Sequence, residues 1–200
     1  MQRVFFLTLL FFISHVTRAQ ETNIYIDSLQ SFRNNYVATH EVVKKKGEKY
    51  FRFFPINSEY YVSCRFEKII DSTGFTMKTS DNGLQHYYKY GQLSFILLGK
   101  GCRLFVYQSP KLMKTEKYKD YLFVPFTDST TGDETYGSGR YLDFYIPEIK
   151  NNTLYLDFNK AYNPYCAYAT GFHCPFPPKE NNLPVAVRAG EMNFGKKHSP

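Results

Sequence analysis

Tyr60-Tyr61-Val62-Ser63-Cys64-Arg65-Phe66-Glu67 is the stretch that decides the fold class. Tyr60, Val62, Cys64 and Phe66 alternate with Tyr61, Ser63, Arg65 and Glu67. That period of two gives a strand with one buried face. The same period recurs downstream. Phe75 to Thr79 and Leu84 to Tyr90 flank Asp81-Asn82-Gly83, a turn sequence that closes a hairpin. Leu93 to Leu98 and Cys102 to Tyr107 flank Gly99-Lys100-Gly101 and read as a second hairpin. Tyr121 to Phe126, Tyr141 to Ile146, Thr153 to Phe158 and Leu183 to Arg188 are expected as further strands. Many strands joined by short turns predict a mainly β chain, a single antiparallel β-sandwich or open barrel.

Upstream the period changes. Tyr25, Leu29, Phe32 and Tyr36 fall at helical spacing, which predicts one N-terminal amphipathic helix over about residues 23–37. Before it, residues 1–19 read as a secretory signal peptide. Arg3 begins it, Val4 to Ile13 is its apolar run, and Thr17-Arg18-Ala19 offers the cleavage site. The run is shorter than the ~20 residues a membrane-spanning helix needs. The expectation is therefore an exported protein of the periplasm, cell envelope or medium, with no stable membrane insertion after cleavage. Residues 20–200 are then a single domain.

Composition agrees with that class. Of the 200 residues 43% are hydrophobic, enough for a core, and 18% are aromatic, a bias that suits strands. Gly 12 and Pro 10 are too few for a fibrous chain, and Cys 4 too few for a disulfide scaffold. The net charge of +7 falls to +5 once Arg3 and Arg18 leave with the signal. The remaining lysines cluster at 44–46, 111–119 and 196–197, partly beside acids, and read as solvated runs. No nucleic-acid motif accompanies them, so no nucleic-acid partner is expected.

Residues 125–191 differ in character. They are dense in turn residues, amides and acids, and five of the ten prolines lie between Pro164 and Pro184. Pro175, Pro177 and Pro178 predict a stiff, extended wall. The run from Pro125 through Asp128, Gly132, Glu134, Tyr136, Gly139 and Arg140 to Asp143 resembles the signature of a bacterial family known as domain of unknown function 1684. So do Asp157 to Tyr168, Cys174 to Pro184, and Ala189-Gly190-Glu191. Tyr88 to Tyr107 is similar to the family's short exported form. The resemblance implies that residues 125–191 are the shared working part, and implies no activity.

The candidate site follows from the residue types. Arg140, beside the strand containing Asp143, can hold a carboxylate or phosphate through two parallel hydrogen bonds. Glu134 and Asp157 can divide into proton acceptor and proton donor. Asp128, Thr130, Asn159, Asn163 and Asn181 supply further polar contacts. Together they predict a pocket for a small polar or anionic ligand. A hydrolase-like or lyase-like enzyme using Glu134, Asp157 and Arg140 is the alternative. A third reading makes the same groups structural, as turns and ion pairs in an interaction protein of the envelope.

No cofactor is required by the sequence and no metal set is predicted. Asp128 to Glu134 lacks the acid spacing of a calcium loop. Cys166 and Cys174, eight residues apart, are read as a disulfide, as reduced thiols, or as metal ligands with His173, in that order. Cysteine catalysis by Cys166 with His173 is a weaker option. The resemblance bears on this order, because family members without export signals keep both cysteines. Cys64 and Cys102 lie on apolar strand faces and are expected in the core.

Overall fold

The computed structural model describes residues 2–196, with the side chains of residue 20 and of residues 22–196. The chain forms two compact units, residues 1–39 and residues 40–200. The first is a helix, α1 (Gln2–Thr39), longer than the 23–37 expected. The side chains of the expected signal segment, and His198 in the tail, lie outside the described residues. Among the described residues no helix is long and apolar enough to cross a membrane.

The second unit is mainly β. Its strands are β1 (Tyr61–Lys68), β2 (Phe75–Lys78), β3 (Leu84–Leu97), β4 (Lys100–Gln108), β5 (Tyr121–Phe126), β6 (Arg140–Tyr145) and β7 (Thr153–Asp157). They form one antiparallel sheet in the order β6-β5-β4-β3-β1-β7, with β2 on β3, curled into a half barrel. One sheet, not two stacked layers, makes the open barrel the apt description.

The expected pair of strands at 84–90 and 93–98 is one 14-residue strand, β3. Its register slips between Lys89 and Gly91 against β4, a bulge that bends the strand. Through this bend β3 pairs with β2 at one end and β1 at the other. Gly91 is needed there, because a Cβ would strike the Phe66 ring and the Glu67 carbonyl. The β3–β4 turn is Leu98-Gly99, both at positive φ, one position earlier than expected. Such a two-residue turn matches the twist of its strands.

Alternation divides the sheet into two faces. One face buries Cys64, Phe66, Leu93, Phe95, Leu97, Leu104, Val106, Leu122, Val124, Leu142, Phe144, Leu154 and Leu156 in the main core. The other carries Met77, Tyr87, Tyr107, Phe123 and Tyr141, with Phe75, Phe105, Tyr121 and Tyr162 packed on them. Cys64 and Cys102 are buried free thiols, and burial pushes the Cys64 thiol up to about 12.

Leu183 to Arg188 is not a regular strand; the Leu183 N–H donates to the Thr127 carbonyl (2.8 Å) and the Ser129 N–H to the Val185 carbonyl (3.1 Å), short of a full ladder. It is still extended, and Leu183, Val185, Val187 and Ala189 alternate into the main core. The sequence pattern therefore reported burial correctly and pairing incorrectly. Backbone bonds to residues 127–129 hold its first half, and the side chains of Arg140 and Asp128 take up the backbone of Val187.

Candidate functional site

Arg140 opens β6, and its even-numbered neighbours Leu142 and Phe144 face the main core. Its guanidinium follows them and is fully buried. Nη1 donates to the carbonyls of Ala189 (2.5 Å) and Glu191 (3.1 Å), and Nη2 to the Val187 carbonyl (2.8 Å). Nη2 also donates to Asp128 Oδ2 at 2.9 Å, an ion pair with both side chains at 0% exposure. Burial lowers the Arg140 pKa, while the Asp128 carboxylate acts to raise it. The Nε–H has no hydrogen-bond acceptor among the described residues. The other Asp128 oxygen accepts from the Thr130 N–H (2.7 Å), the Thr130 hydroxyl (2.6 Å) and the Val187 N–H (3.2 Å). Thr130 in turn meets the Thr135 hydroxyl at 3.0 Å. Arg140 and Asp128 thus bond the backbone of residues 187, 189 and 191, while the Gly190 carbonyl accepts from the Phe54 N–H and the Glu191 N–H donates to the Ala161 carbonyl.

The expected amide contacts do similar work. Asn181 is fully buried where β4 and β5 share a single register pair, Tyr107 with Phe123. Its side chain accepts from the Phe105 N–H (2.7 Å) and donates to the carbonyls of Phe105 (2.9 Å) and Pro125 (2.7 Å). One amide therefore bridges two diverging strands. Asn159 bonds both the N–H (3.1 Å) and the carbonyl (2.8 Å) of Asn57. Asp157 Oδ1 accepts from the Asn159 N–H and side chain, both at 3.0 Å. Asn163 donates to the Met192 carbonyl (2.8 Å), and its N–H reaches the buried Glu191 carboxylate (2.9 Å), which also accepts from Tyr168 (2.7 Å). Sequence reasoning noted Glu191 only within the family pattern.

Glu134 lies elsewhere. It pairs at the surface with Arg188, with Nε at 2.9 Å from both oxygens. The eight predicted residues do not converge. Asp128, Thr130 and Arg140 form one buried group, Asp157 and Asn159 a second, and Asn163, Asn181 and Glu134 stand separately.

Cys166 and Cys174 form a disulfide with Cα atoms 6.4 Å apart, closing the loop that sequence reasoning placed there. His173 faces Asp81 instead of Cys166. The Thr79 hydroxyl and His173 hold the Asp81 carboxyl at about 2. Ser80 bonds the loop at the Cys174 N–H (3.1 Å), the Cys174 carbonyl (3.0 Å) and the Phe172 carbonyl (2.8 Å). Among the described residues no three His, Cys, Asp or Glu side chains group as metal ligands.

The odd-numbered face of β6 is different. Asp143 projects from the centre of β6, across from Phe123. Tyr121 donates to Oδ1 at 2.6 Å, and Tyr162 donates to Oδ1 (2.9 Å) and Oδ2 (2.8 Å). Asp143 is reached by solvent, and Tyr121 and Tyr162 are partly so. Surrounding protein nevertheless desolvates the carboxylate and raises its pKa, against the lowering effect of the two hydroxyls. The Tyr121 ring lies 6.0 Å from both Tyr118 and Tyr145, and the Tyr162 ring 5.8 Å from Tyr141. Tyr141 in turn donates to the Pro175 carbonyl at 2.6 Å, docking the proline-rich wall. Burial pushes the Tyr121, Tyr141 and Tyr162 hydroxyls well above their ordinary range, so they are neutral donors.

In the structural reading of the sequence, Asp143 or Asp157 is the expected ion-pair partner of Arg140; the structure gives Asp128 instead. Arg140 and Asp143 are three residues apart on one strand and so lie on opposite faces. Strict use of the period would have separated them and paired Asp143 with Tyr141 and Tyr145. The hydroxyls of Tyr121 and Tyr162 carry no such local signal.

Comparison with known proteins gives kinship without activity. No curated protein matches the chain. The solution NMR structure of an uncharacterized protein of Haloarcula marismortui is similar, at 29% identity and a TM-score of 0.64, covering 86% of this chain and 96% of that one. The pattern of the family described as "Protein of unknown function (DUF1684)" matches residues 49–192, from the first turns of the β unit to the Glu191 anchor. By that match the chain belongs to this family.

Proposed function

We propose that this chain is an exported domain that binds a small polar ligand at the Asp143 recess. The observation that carries the reading is the contrast in exposure: Asp143 is open to solvent, while Asp128, Arg140, Asp157, Asn159, Asn163 and Asn181 are buried and bonded to protein. A polar group kept wet, yet partly desolvated and flanked by aromatic rings, is the kind of group that binding sites use. Catalytic roles for Arg140 and Asp157 are not part of the proposal, since a substrate would need to reach groups the protein encloses. Nor is an anionic ligand, because the guanidinium on which that expectation rested already serves three carbonyls and a carboxylate. The Cys166–Cys174 disulfide supports export, because such bonds persist in oxidising compartments.

A thermal-shift screen of metabolites, glycans and metal salts on the purified chain tests this reading. A ligand that binds only the native state raises its melting temperature by mass action. The expected result is a stabilising class that acts on the wild type and not on Asp143→Asn. Ligands that stabilise both proteins equally would place binding elsewhere.

A further inference from the structure

We infer that the Asp143 recess takes an organic ammonium cation, a charged nitrogen carrying alkyl groups. The inference rests on reading that recess as the binding site, and it names the class of ligand.

The first argument compares acids within the chain. Asp128 pairs with Arg140, Glu134 with Arg188, and Glu180 with Lys89. Asp143 has hydroxyl donors on both oxygens, and among the described residues no lysine or arginine forms an ion pair with it. Hydroxyls satisfy its lone pairs without supplying positive charge, and two tyrosine hydroxyls on one solvent-reached carboxylate set it apart from the other acids that lack an ion pair.

The second argument is a complete version of the same arrangement on the same face of the sheet. Glu180 accepts from the Tyr107 hydroxyl at 2.8 Å and from the Lys89 ammonium at 2.9 Å. That ammonium lies 4.5 Å from the Phe105 ring centroid and 5.7 Å from that of Phe75. Carboxylate, tyrosine hydroxyl, aromatic face and ammonium are all present. Around Asp143 the carboxylate and the tyrosine hydroxyls recur, and the rings of the two donors are edged by Tyr118, Tyr145 and Tyr141. The ammonium is the part that a ligand would supply.

The alternatives fit less well. An anion would meet the carboxylate and the negative faces of the tyrosines. Calcium takes six to eight oxygens, and one carboxylate with two hydroxyls falls short. A neutral sugar would stack on the rings yet leave the charge as it is. An alkylammonium ion answers both features, with its charge on Asp143 and its alkyl groups on the rings.

The test is an NMR titration of the full chain, following Tyr121, Asp143 and Tyr162, with choline chloride and with 3,3-dimethylbutan-1-ol, its uncharged isostere. Choline should produce saturable shifts at these residues and bind at least about tenfold tighter than the alcohol. Asp143→Asn should abolish that preference. The wild-type comparison stands even if the variant fails to fold. Equal binding of the two probes would overturn the cation assignment. Shifts at these residues with glucose or phosphate, and none with choline, would overturn it while leaving the recess a binding site. No shift at these residues with any of the four probes would overturn both readings.

Discussion

Asp128 and Asp143 lie within sixteen residues of each other, and each accepts several hydrogen bonds. They are nonetheless opposite in setting. Asp128 is enclosed on the core side of the sheet, where Arg140 neutralises it and where it orders the segment at 187–191. Asp143 is on the other side of β6, where hydroxyls orient it and nothing in the described protein neutralises it. One strand thus carries a fastening face and, in our proposal, a receiving face. Polar density in a sequence does not mark a site, because unladdered backbone also consumes polar side chains. What separates Asp143 from the fastening acids is that solvent reaches it and that tyrosine hydroxyls, not a cation, hold it.

The fastening side should break hardest. Asp128→Ala leaves the Arg140 guanidinium buried without its partner, so urea unfolding should show a loss of about 3–5 kcal/mol. A loss under about 1 kcal/mol would mean that the pair does not fix the 187–191 segment. Asn181→Ala strands the Phe105 N–H and carbonyl and the Pro125 carbonyl between β4 and β5. A loss of ~2–3 kcal/mol is expected in the same measurement, from leaving buried groups unbonded. Reducing the Cys166–Cys174 bond opens a short loop and should cost about 2–3 kcal/mol by loop entropy. Thiol titration of the denatured chain should find two free thiols, Cys64 and Cys102, before reduction and four after.

The receiving side should respond in the other direction. Folding raises the Asp143 pKa, chiefly by desolvation, so the folded state binds that proton more tightly than the unfolded state. The associated stability is complete below the ordinary carboxylate range and is lost as pH rises through the raised value. At neutral pH Asp143→Asn should therefore be neutral or stabilising, by less than ~1 kcal/mol because solvent screens the group. It should also flatten this part of the stability–pH profile. A marked loss of stability would make Asp143 a fastener like Asp128.

Much of the fold is legible locally. The alternation from Tyr60 to Glu67 and the turn at Asp81-Asn82-Gly83 depend on neighbouring residues, and both became strands or hairpins where expected. The error at Leu183 to Arg188 is instructive, because alternation reports burial and says nothing of who bonds the backbone. That information lay more than 40 residues upstream, in the backbone of Thr127 and Ser129 and in the side chains of Arg140 and Asp128. The continuous β3 was misjudged because Gly91 reads as a break, whereas its role is to let Phe66 approach. The candidate site was less legible. Residue type identified groups able to do chemistry, but whether a group is enclosed or open depends on face and on distant partners such as Tyr162.

The most direct measurement is the carboxyl-carbon NMR titration of Asp143 in the folded chain. The account predicts a pKa above the ~3.9 of an unperturbed aspartate, with Tyr121 and Tyr162 still un-ionised at neutral pH. A value at or below that reference would mean that the carboxylate is already compensated within the protein, and would contradict its assignment as the receiving group.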